Sequence, residues 1–405
     1  NIQRIAKEFS QAESAVCYGR MGACTQKFGG TVHWLINMVN IITGNFDAPG
    51  GAMFTSPAFD TLANSQTKGH YNKGQSRVRN LPEFAGEYPA VTMADEMLVK
   101  GEGQIRAMVT SAGNPILSVP GGEKLDRAFS GLEFMVSIDF YINETTRHAD
   151  IILPPAFNLN GPHFDVVFNI FAVRDVVKYS NPVFPKESGT KYDWEIFMGL
   201  EKRVAQKNGR KYSKINHFLS KKFGPEWLLD LGIRIGEYGS LKSLFKWNGL
   251  TLSKVKKQVH GVDLGPLKPR FPKRLFTSDK KIDLAPSIFI DDLKRVISNV
   301  AQSNANGSLT LIGRRQLRSN NSWMHNCSSL MSGRDRFLIL MNPLDAQKKS
   351  IADGQKVRVK TSNAQIELEA KLSEEMMPGV ISIPHGWGHE GKGTQQKIAL
   401  ENKGG

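Results

Sequence analysis

The sequence predicts an α/β protein: interleaved parallel-sheet α/β domains followed by a C-terminal β-rich domain. Three observations predict it. Between residues 90 and 153 helical and strand patterns alternate, and such β-α-β units are closed by parallel pairing with helical crossovers. Two of the strands run straight into Gly113-Asn114-Pro115 and into Asp139, at the carboxyl ends where open α/β sheets take their ligands. From residue 308 onward the pattern becomes short alternating strands and tight turns. The implied divisions are 1–190 for the α/β core, 191–300 for a basic, partly helical connecting region, and 301–405 for a small β-barrel or sandwich.

Each element has its own signal. Ile2, Ile5, Ala6 and Phe9 recur at helical spacing and predict a helix over 2–12, under way from the first residue, so the chain is expected to be a fragment. Residues 14–18 read as a buried strand holding Cys17 as a buried structural thiol, and 29–43 as a helix with Val32, Leu35, Ile36, Val39 and Ile42 on one side. Between them Gly19-Arg20-Met21-Gly22 offers a turn where a ligand can approach the backbone. The Asn-, Ser-, Thr- and Gly-rich stretch 52–89 reads as a long irregular loop. A helix near 90–99, a strand at 105–111, a helix at 121–130 and a strand at 133–138 follow, then strands at 151–153 and 170–173 and helices at 192–206 and 224–235. The last domain reads as strands at 309–312, 337–341, 355–361, 364–372 and 379–383, with Val357, Val359, Ile366, Leu368, Ala370 and Leu372 on one side.

With 405 residues, 40% hydrophobic and 22% charged, the chain is neither collagen-like, coiled-coil nor disordered. No run reaches the roughly 18–20 apolar residues of a membrane span; Val32 to Thr43 stops at Gly44. The net charge of +15 is local, since residues 201–300 carry 22 basic against 9 acidic side chains. A basic stripe suits nucleic acid, an anionic cofactor, an acidic partner or a solvated face. No zinc spacing, RNA-binding signature or basic zipper accompanies it, so nucleic acid is not expected, and Lys254–Lys257 and Lys280–Lys281 read as exposed surface. Cys17, Cys24 and Cys327 are too few and too widely spaced for a disulfide framework or a CxxC metal pair.

The phosphate loop GxxxxGK[ST], the zinc helix HExxH and the nucleophile elbow GxSxG are all absent. His385 and His389 stand four apart, but Gly386 and Gly388 disfavour the helix that would bring both to one metal, and no metal ligand is assigned. Residues 313–326, from Gly313, Arg314 and Arg315 to Ser322, Trp323, His325 and Asn326, crowd three arginines with hydroxyl, amide, indole and imidazole groups directly after a strand. Arginine forks match phosphates, and Asn or Ser can read a heterocycle edge, so this loop points to a phosphate-bearing, base-containing ligand. His385-Gly386-Trp387-Gly388 is a second patch: backbone passing close to something flat, or a barrel corner turned by glycine.

These residues resemble the molybdopterin oxidoreductases of the dimethyl sulfoxide reductase and formate dehydrogenase family. The matching pieces come in family order: the opening with GRMGACTQ, Ile42-Thr43-Gly44-Asn45 with Pro49-Gly50-Gly51, Gly113-Asn114-Pro115, Asp139 through Glu144-Thr145 to Pro154, and IGRR with WMHN. Asn342-Pro343-Leu344-Asp345-Ala346, Ile351-Ala352-Asp353-Gly354 and Pro378-Gly379-Val380 complete the series. The resemblance implies a C-terminal six-stranded double-psi barrel and a bis-molybdopterin guanine dinucleotide carrying molybdenum or tungsten. It implies cofactor contacts from Gly113, Asn114, Pro115, Asp139 and Thr145 on the α/β side, and from Gly313, Arg314, Arg315, Ser322, Trp323, His325, Asn326 and His385 on the other. The catalytic residue stays unknown, because the family's molybdenum ligand and its 4Fe-4S segment match nothing here and are expected in a missing N-terminal part. The barrel's closing stretch is likewise expected beyond the last residue. Where formate dehydrogenases of the family carry P-x-R-G-Q, residues Met53 to Ala58 have no arginine, so formate is not favoured.

The resemblance thus implies a fragment of a catalytic subunit moving two electrons on a small substrate, with an electron-transfer subunit as partner. The fragment alone is expected to be inactive. The alternative is a non-catalytic electron-transfer or structural subunit on the same scaffold; a third reading, a nucleic-acid or acidic-lipid binder, would show steep salt dependence. Compartment stays unknown, with the cytoplasm slightly favoured.

Overall fold

The computed structural model describes residues 1–61, 71–241, 248–302, 308–389 and 392–401. The chain divides into two compact units, each assembled from two stretches: Asn1–Lys68 with Pro155–Gln302, and Gly69–Pro154 with Ser303–Gly405.

In the first unit the opening helix is Ile2–Gln11, and it buries none of its residues. The expected strand at 14–18 does not form. Cys17 is only partly buried and its segment is held by side chains instead. Asn40 accepts the Cys17 N–H at 2.8 Å and donates to the Cys17 carbonyl at 2.9 Å, doing for one residue what a neighbouring strand would do. The helix Gly29–Ile42 forms, but the expected side is only partly inward: Thr31 and Asn40 are buried and Ile36 and Val39 partly buried, while Val32, Leu35 and Ile42 are exposed. Thr31 bonds Asp292, so polar contacts orient this helix. The tight spot at Gly19 is explained by the same helix, since a β-carbon there would lie 2.5 Å from the Ile36 side chain.

Residues 170–173 are not a strand. A 3-10 turn, Phe168–Phe171, stands there with Phe168 and Phe171 exposed, and short strands flank it at His163–Phe164, Asp175–Val177 and Tyr179–Ser180. The helices Asp193–Lys207 and Glu226–Ile235 lie where their periodicity puts them, and Lys214–Phe223, Leu252–Lys256 and Ser287–Gln302 add to them. Ala58, Val177, Tyr179, Ile233, Leu252 and Val255 form this unit's core. Lys254, Lys257, Lys280 and Lys281 are exposed as expected, while Lys256 pairs with Glu226.

The second unit holds two sheets. Ala107–Ser111, Phe134–Ile138 and Ile151–Ile152 form a wholly parallel three-stranded sheet in that order. The helix Met93–Leu98, which precedes the sheet, and the crossover helix Gly122–Ser130 supply Ala94, Met97, Leu125, Ala128 and Phe129 to one core with Ile116 and Met135. The expected irregular stretch 52–89 falls partly outside the described residues, at 62–70, and partly forms a hairpin, Tyr71–Gln75 with Pro82–Phe84.

The C-terminal sheet orders its strands Thr310–Arg314, Val380–Pro384, Leu338–Met341, Gln365–Leu372 and Lys356–Lys360, mixing parallel and antiparallel pairs. Five strands lie among the described residues, where the resemblance implies six. Alternation places Leu368 and Ala370 in its core with Ile339, Met341, Ile381 and Ile383, and packs Val357, Val359 and Leu372 against them; Ile366, on the same side of the pattern, is 39% exposed.

Candidate functional site

The site lies in the second unit, where two loops meet. The first follows the strand Ala107–Ser111. Ala112 continues the ladder, its N–H bonding the Ile138 carbonyl at 2.9 Å, and then turns with φ of +48°, a left-handed conformation uncommon for alanine. Asn114 caps the short helix Pro115–Ser118, whose N–H groups at Leu117 and Ser118 reach its carbonyl at 3.1 Å each. Pro115 sits at the first helical position, where its missing N–H costs nothing.

The second loop is Gln316–Cys327. Asn320 and Asn321 are also left-handed, with φ of +43° and +60°. Ala112, Gly113, Asn114 and Ser118 face Asn320, Asn321, Ser322 and Trp323 across a cavity of about 200 Å³. Three non-glycine residues in a sparsely populated conformation thus line one small cavity, the kind of place where backbone strain gathers. The 385–388 loop presses on its wall: a β-carbon on Gly386, φ +87°, would lie 2.6 Å from the backbone of Asn321.

Behind the cavity runs a buried polar chain. Thr145 donates to Asn114 Oδ1 at 2.7 Å, and Asn114 Nδ2 donates to Glu144 Oε2 at 2.7 Å. Glu144 Oε1 meets His389 Nδ1 at 3.1 Å, and His389 Nε2 meets His325 Nδ1 at 2.8 Å. Every member is at most 4% exposed. Burial alone would raise the Glu144 pKa, but hydrogen bonds and charge from His389, with the Asn114 amide, hold it below the ordinary 4.5. Burial, then the charges of His389 and Arg336, push His325 down to about 4. The Trp387 ring lies over His325 with centroids 4.2 Å apart.

The sequence-chosen residues divide into groups. Gly113, Asn114, Ser322 and Trp323 line the cavity, and Asn114, Thr145 and His325 belong to the buried chain. Arg315 bonds Asn321, and His385 lies next to it, its pKa lowered by burial and then by the Arg315 charge. Gly313 leaves open space where a side chain would stand. Arg314 turns into its own sheet, donating to the carbonyls of Ser382 at 3.0 Å and Leu338 at 2.9 Å. Asn326 accepts from the N–H groups of Ile398 and Ala399 at 3.1 and 3.4 Å, capping the helix Lys397–Glu401. Asp139 organises its own turn by accepting from Phe140 and Tyr141 N–H, and burial raises its pKa.

Glu144 and His389 are the residues that sequence reasoning did not place in the site. His389 attracted attention only as a metal partner for His385, yet both of its ring nitrogens face Glu144 and His325. Among the described residues no group of three or more His, Cys, Asp or Glu is arranged to hold a metal ion.

A parallel α/β sheet with its ligand-type loop, paired with a mixed C-terminal sheet whose first strand feeds the second loop, is the arrangement two family descriptions capture. Residues 3–203 match the molybdopterin oxidoreductase family and residues 309–400 the molydopterin dinucleotide binding domain. The chain belongs to the molybdopterin oxidoreductase family, a family of enzymes. Among its relatives is the dimethyl sulfoxide/trimethylamine N-oxide reductase of Cereibacter sphaeroides, 21% identical over 459 residues, covering 100% of this chain and 52% of that protein. Another is the F420-dependent formate dehydrogenase subunit alpha of Methanocaldococcus jannaschii, 23% identical over 294 residues, covering 71% of this chain and 40% of that protein. Among solved structures, the acetylene hydratase from Pelobacter acetylenicus superposes with a TM-score of 0.68 at 15% identity, over 99% of this chain and 58% of that one, which speaks to fold alone. The chain spans about half or less of the curated relatives it matches.

Proposed function

We propose that this chain is part of an oxidoreductase that holds a bis-molybdopterin guanine dinucleotide with molybdenum or tungsten and carries out a two-electron reaction on a small substrate, formate not being favoured. The observation that carries this reading is the cavity between Ala112–Asn114 and Asn320–Trp323. Its chemistry fits the group: a hydroxyl, amides and exposed backbone for a polar heterocycle, with the flat face of a half-exposed Trp323 beside them. Gly113, Asn114, Ser322 and Trp323 would hold it, with Thr145 fixing Asn114, and Arg315 and His385 adding positive or polar character near phosphate. When bound, the cofactor supplies the redox chemistry, and the protein supplies orientation and electrostatics. The six-stranded double-psi closure of the C-terminal domain, the divisions at 190 and 300, a 4Fe-4S cluster and an electron-transfer subunit belong to the same proposal. No helix among the described residues is long and apolar enough to cross a membrane.

A second reading, a scaffold subunit without cofactor, is favoured by Arg314, whose guanidinium is spent on main-chain carbonyls rather than left for phosphate. Elemental mass spectrometry and the fluorescence of oxidised pterin on the complete, natively expressed protein decide between the two. Molybdenum or tungsten with two pterins per chain supports the oxidoreductase; neither group in a well-folded protein overturns it in favour of the scaffold.

A further inference from the structure

The helix Lys214–Phe223 in the first unit turns apolar side chains outward. Ser213 caps it, accepting the Asn216 N–H at 3.2 Å. Ser220 fixes which side looks inward, since it is buried and accepts from the Trp227 indole at 3.1 Å. At about 100° per residue, Ile215 and Phe218 stand roughly 140–160° around the helix from Ser220. They face water at 74% and 63% exposure, on the side where a surface helix ordinarily carries polar groups.

The same stretch is uniformly basic. Residues 207–223 hold Lys207, Arg210, Lys211, Lys214, Lys221 and Lys222, and no Asp or Glu. All six side chains are exposed, and among the described residues none has a carboxylate partner. Lys214, Lys221 and Lys222 flank the apolar pair on the helix itself, and the other three lead into it. The acids of the helix Glu226–Ile235 are engaged elsewhere. Glu226 is held by Tyr179 and Lys256, and Asp230 by Arg234 and the Leu252 N–H.

Six uncompensated cations call for an anionic partner, and the apolar pair selects among such partners. A protein interface is a poor match, because lysine is depleted from interface cores. Nucleic acid would take up the charge but leave Ile215 nothing to stack on, and it favours arginine forks, of which the stretch has one. An anionic bilayer surface accepts both features. Lysines meet the headgroups as compact charges, and Ile and Phe side chains sink just beneath them.

We propose that residues 207–223 dock on an anionic phospholipid surface, with the helix Lys214–Phe223 lying in the plane of the headgroups and Ile215 and Phe218 inserted. The contact is peripheral, since a helix of 10 residues lies along a bilayer rather than across it. It joins a screened charge attraction to a small apolar insertion, so it is reversible and weakens with salt. It rests on this surface alone and is independent of the cofactor.

The test is cosedimentation of the complete, natively expressed protein with phosphatidylcholine vesicles, prepared with and without phosphatidylserine. Binding should require phosphatidylserine and fall steeply with added salt. Lys214→Gln, Lys221→Gln and Lys222→Gln should each weaken it about five-fold. Ile215→Ser combined with Phe218→Ser should weaken it at least about tenfold, while binding to random-sequence duplex DNA stays unchanged. No binding to phosphatidylserine vesicles, or equal binding to both vesicle types, overturns the proposal. So does vesicle binding that survives loss of the apolar pair; if DNA is then bound more tightly than vesicles, the face belongs to nucleic acid. Should a variant fail to fold, hydrogen exchange of the wild-type protein decides: phosphatidylserine vesicles should slow exchange within 207–223, and protection absent there overturns the docking.

Discussion

Arg314 is bonded to Ser382 through both the carbonyl and the hydroxyl of that residue, at 3.0 and 3.4 Å, while its second terminal nitrogen reaches the carbonyl of Leu338. One side chain therefore ties three neighbouring strands of the C-terminal sheet together, since Ser382 and Leu338 lie on the next two strands in order. Burial lowers the Arg314 pKa, since the guanidinium is partly withdrawn from water.

Replacing Arg314 by Ala should then act on stability first. Hydrogen bonds from a charged donor are worth about 1.5–3 kcal/mol each, and the orphaned carbonyls add to the loss, so a cost of at least about 3 kcal/mol is expected. Urea denaturation of Arg314→Ala and Arg314→Lys measures it. Full stability of the alanine variant with selective loss of cofactor would instead assign Arg314 to the ligand.

The acid limb of stability should carry two separable signatures. His325 is held at about 4, below its ordinary 6.5, by burial and then by the charges of His389 and Arg336, so folding favours its neutral form. That contribution is fully present above 6.5 and is lost as the pH falls towards 4. Glu144 is held below 4.5, so its contribution is present above that value and is lost at more acid pH. Denaturant midpoints measured across this range should flatten in the upper window for His325→Gln and in the lower one for Glu144→Gln.

Gly386 and Gly379 form a matched pair, with φ of +87° and +84°. A β-carbon at Gly379 meets nothing within 4 Å, whereas one at Gly386 collides with the backbone of Asn321. Gly379→Ala should cost about 1 kcal/mol, the penalty of the left-handed conformation itself. Gly386→Ala should cost at least about 2–3 kcal/mol more, because main chain rather than a flexible side chain must yield. Equal thermal midpoints for the two variants would show that the 385–388 loop does not press on the cavity wall.

Asn40 stands in for a missing strand. Asn40→Leu removes both bonds to Cys17 and leaves its N–H and carbonyl to water, a loss of about 1–2 kcal/mol since Cys17 is only partly buried. Limited proteolysis should cut between residues 14 and 20 several times faster, with the far core around Ile233 unaffected in hydrogen exchange.

What sequence reading could and could not see follows from these contacts. Strict alternation put Leu368 and Ala370 in the core because a two-residue period with one buried face has a single solution. The short apolar runs at 14–18 and 170–173 carry no such constraint, and both prove irregular, with Val16 and Val173 at 51% and 94% exposure. The helix Gly29–Ile42 leaves Val32, Leu35 and Ile42 exposed because Thr31 and Asn40 found specific buried partners, which hydrophobic periodicity cannot register. In the site, Gly113–Asn114 and Ser322–Trp323 announced themselves by turn chemistry and donor density. Glu144 and His389, 245 positions apart, are joined by a contact that no local pattern encodes.

The second unit is built from stretches separated by residues 155–302. Ribosomes add about 5–20 residues per second, so the sheet bearing Asn114 emerges on the order of 10–30 s before the loop bearing His325 is even synthesised. Throughout that interval Glu144 has no histidine to meet, and the parallel strands stand without the partner that completes their unit. The first unit has the mirror problem, since residues 1–68 must persist while 69–154 are made. Neither unit can finish as a vectorial, N-terminus-first domain. Assembly is therefore a late, long-range event, and the chain's dependence on chaperones should rise with any mutation that weakens the early half of either unit.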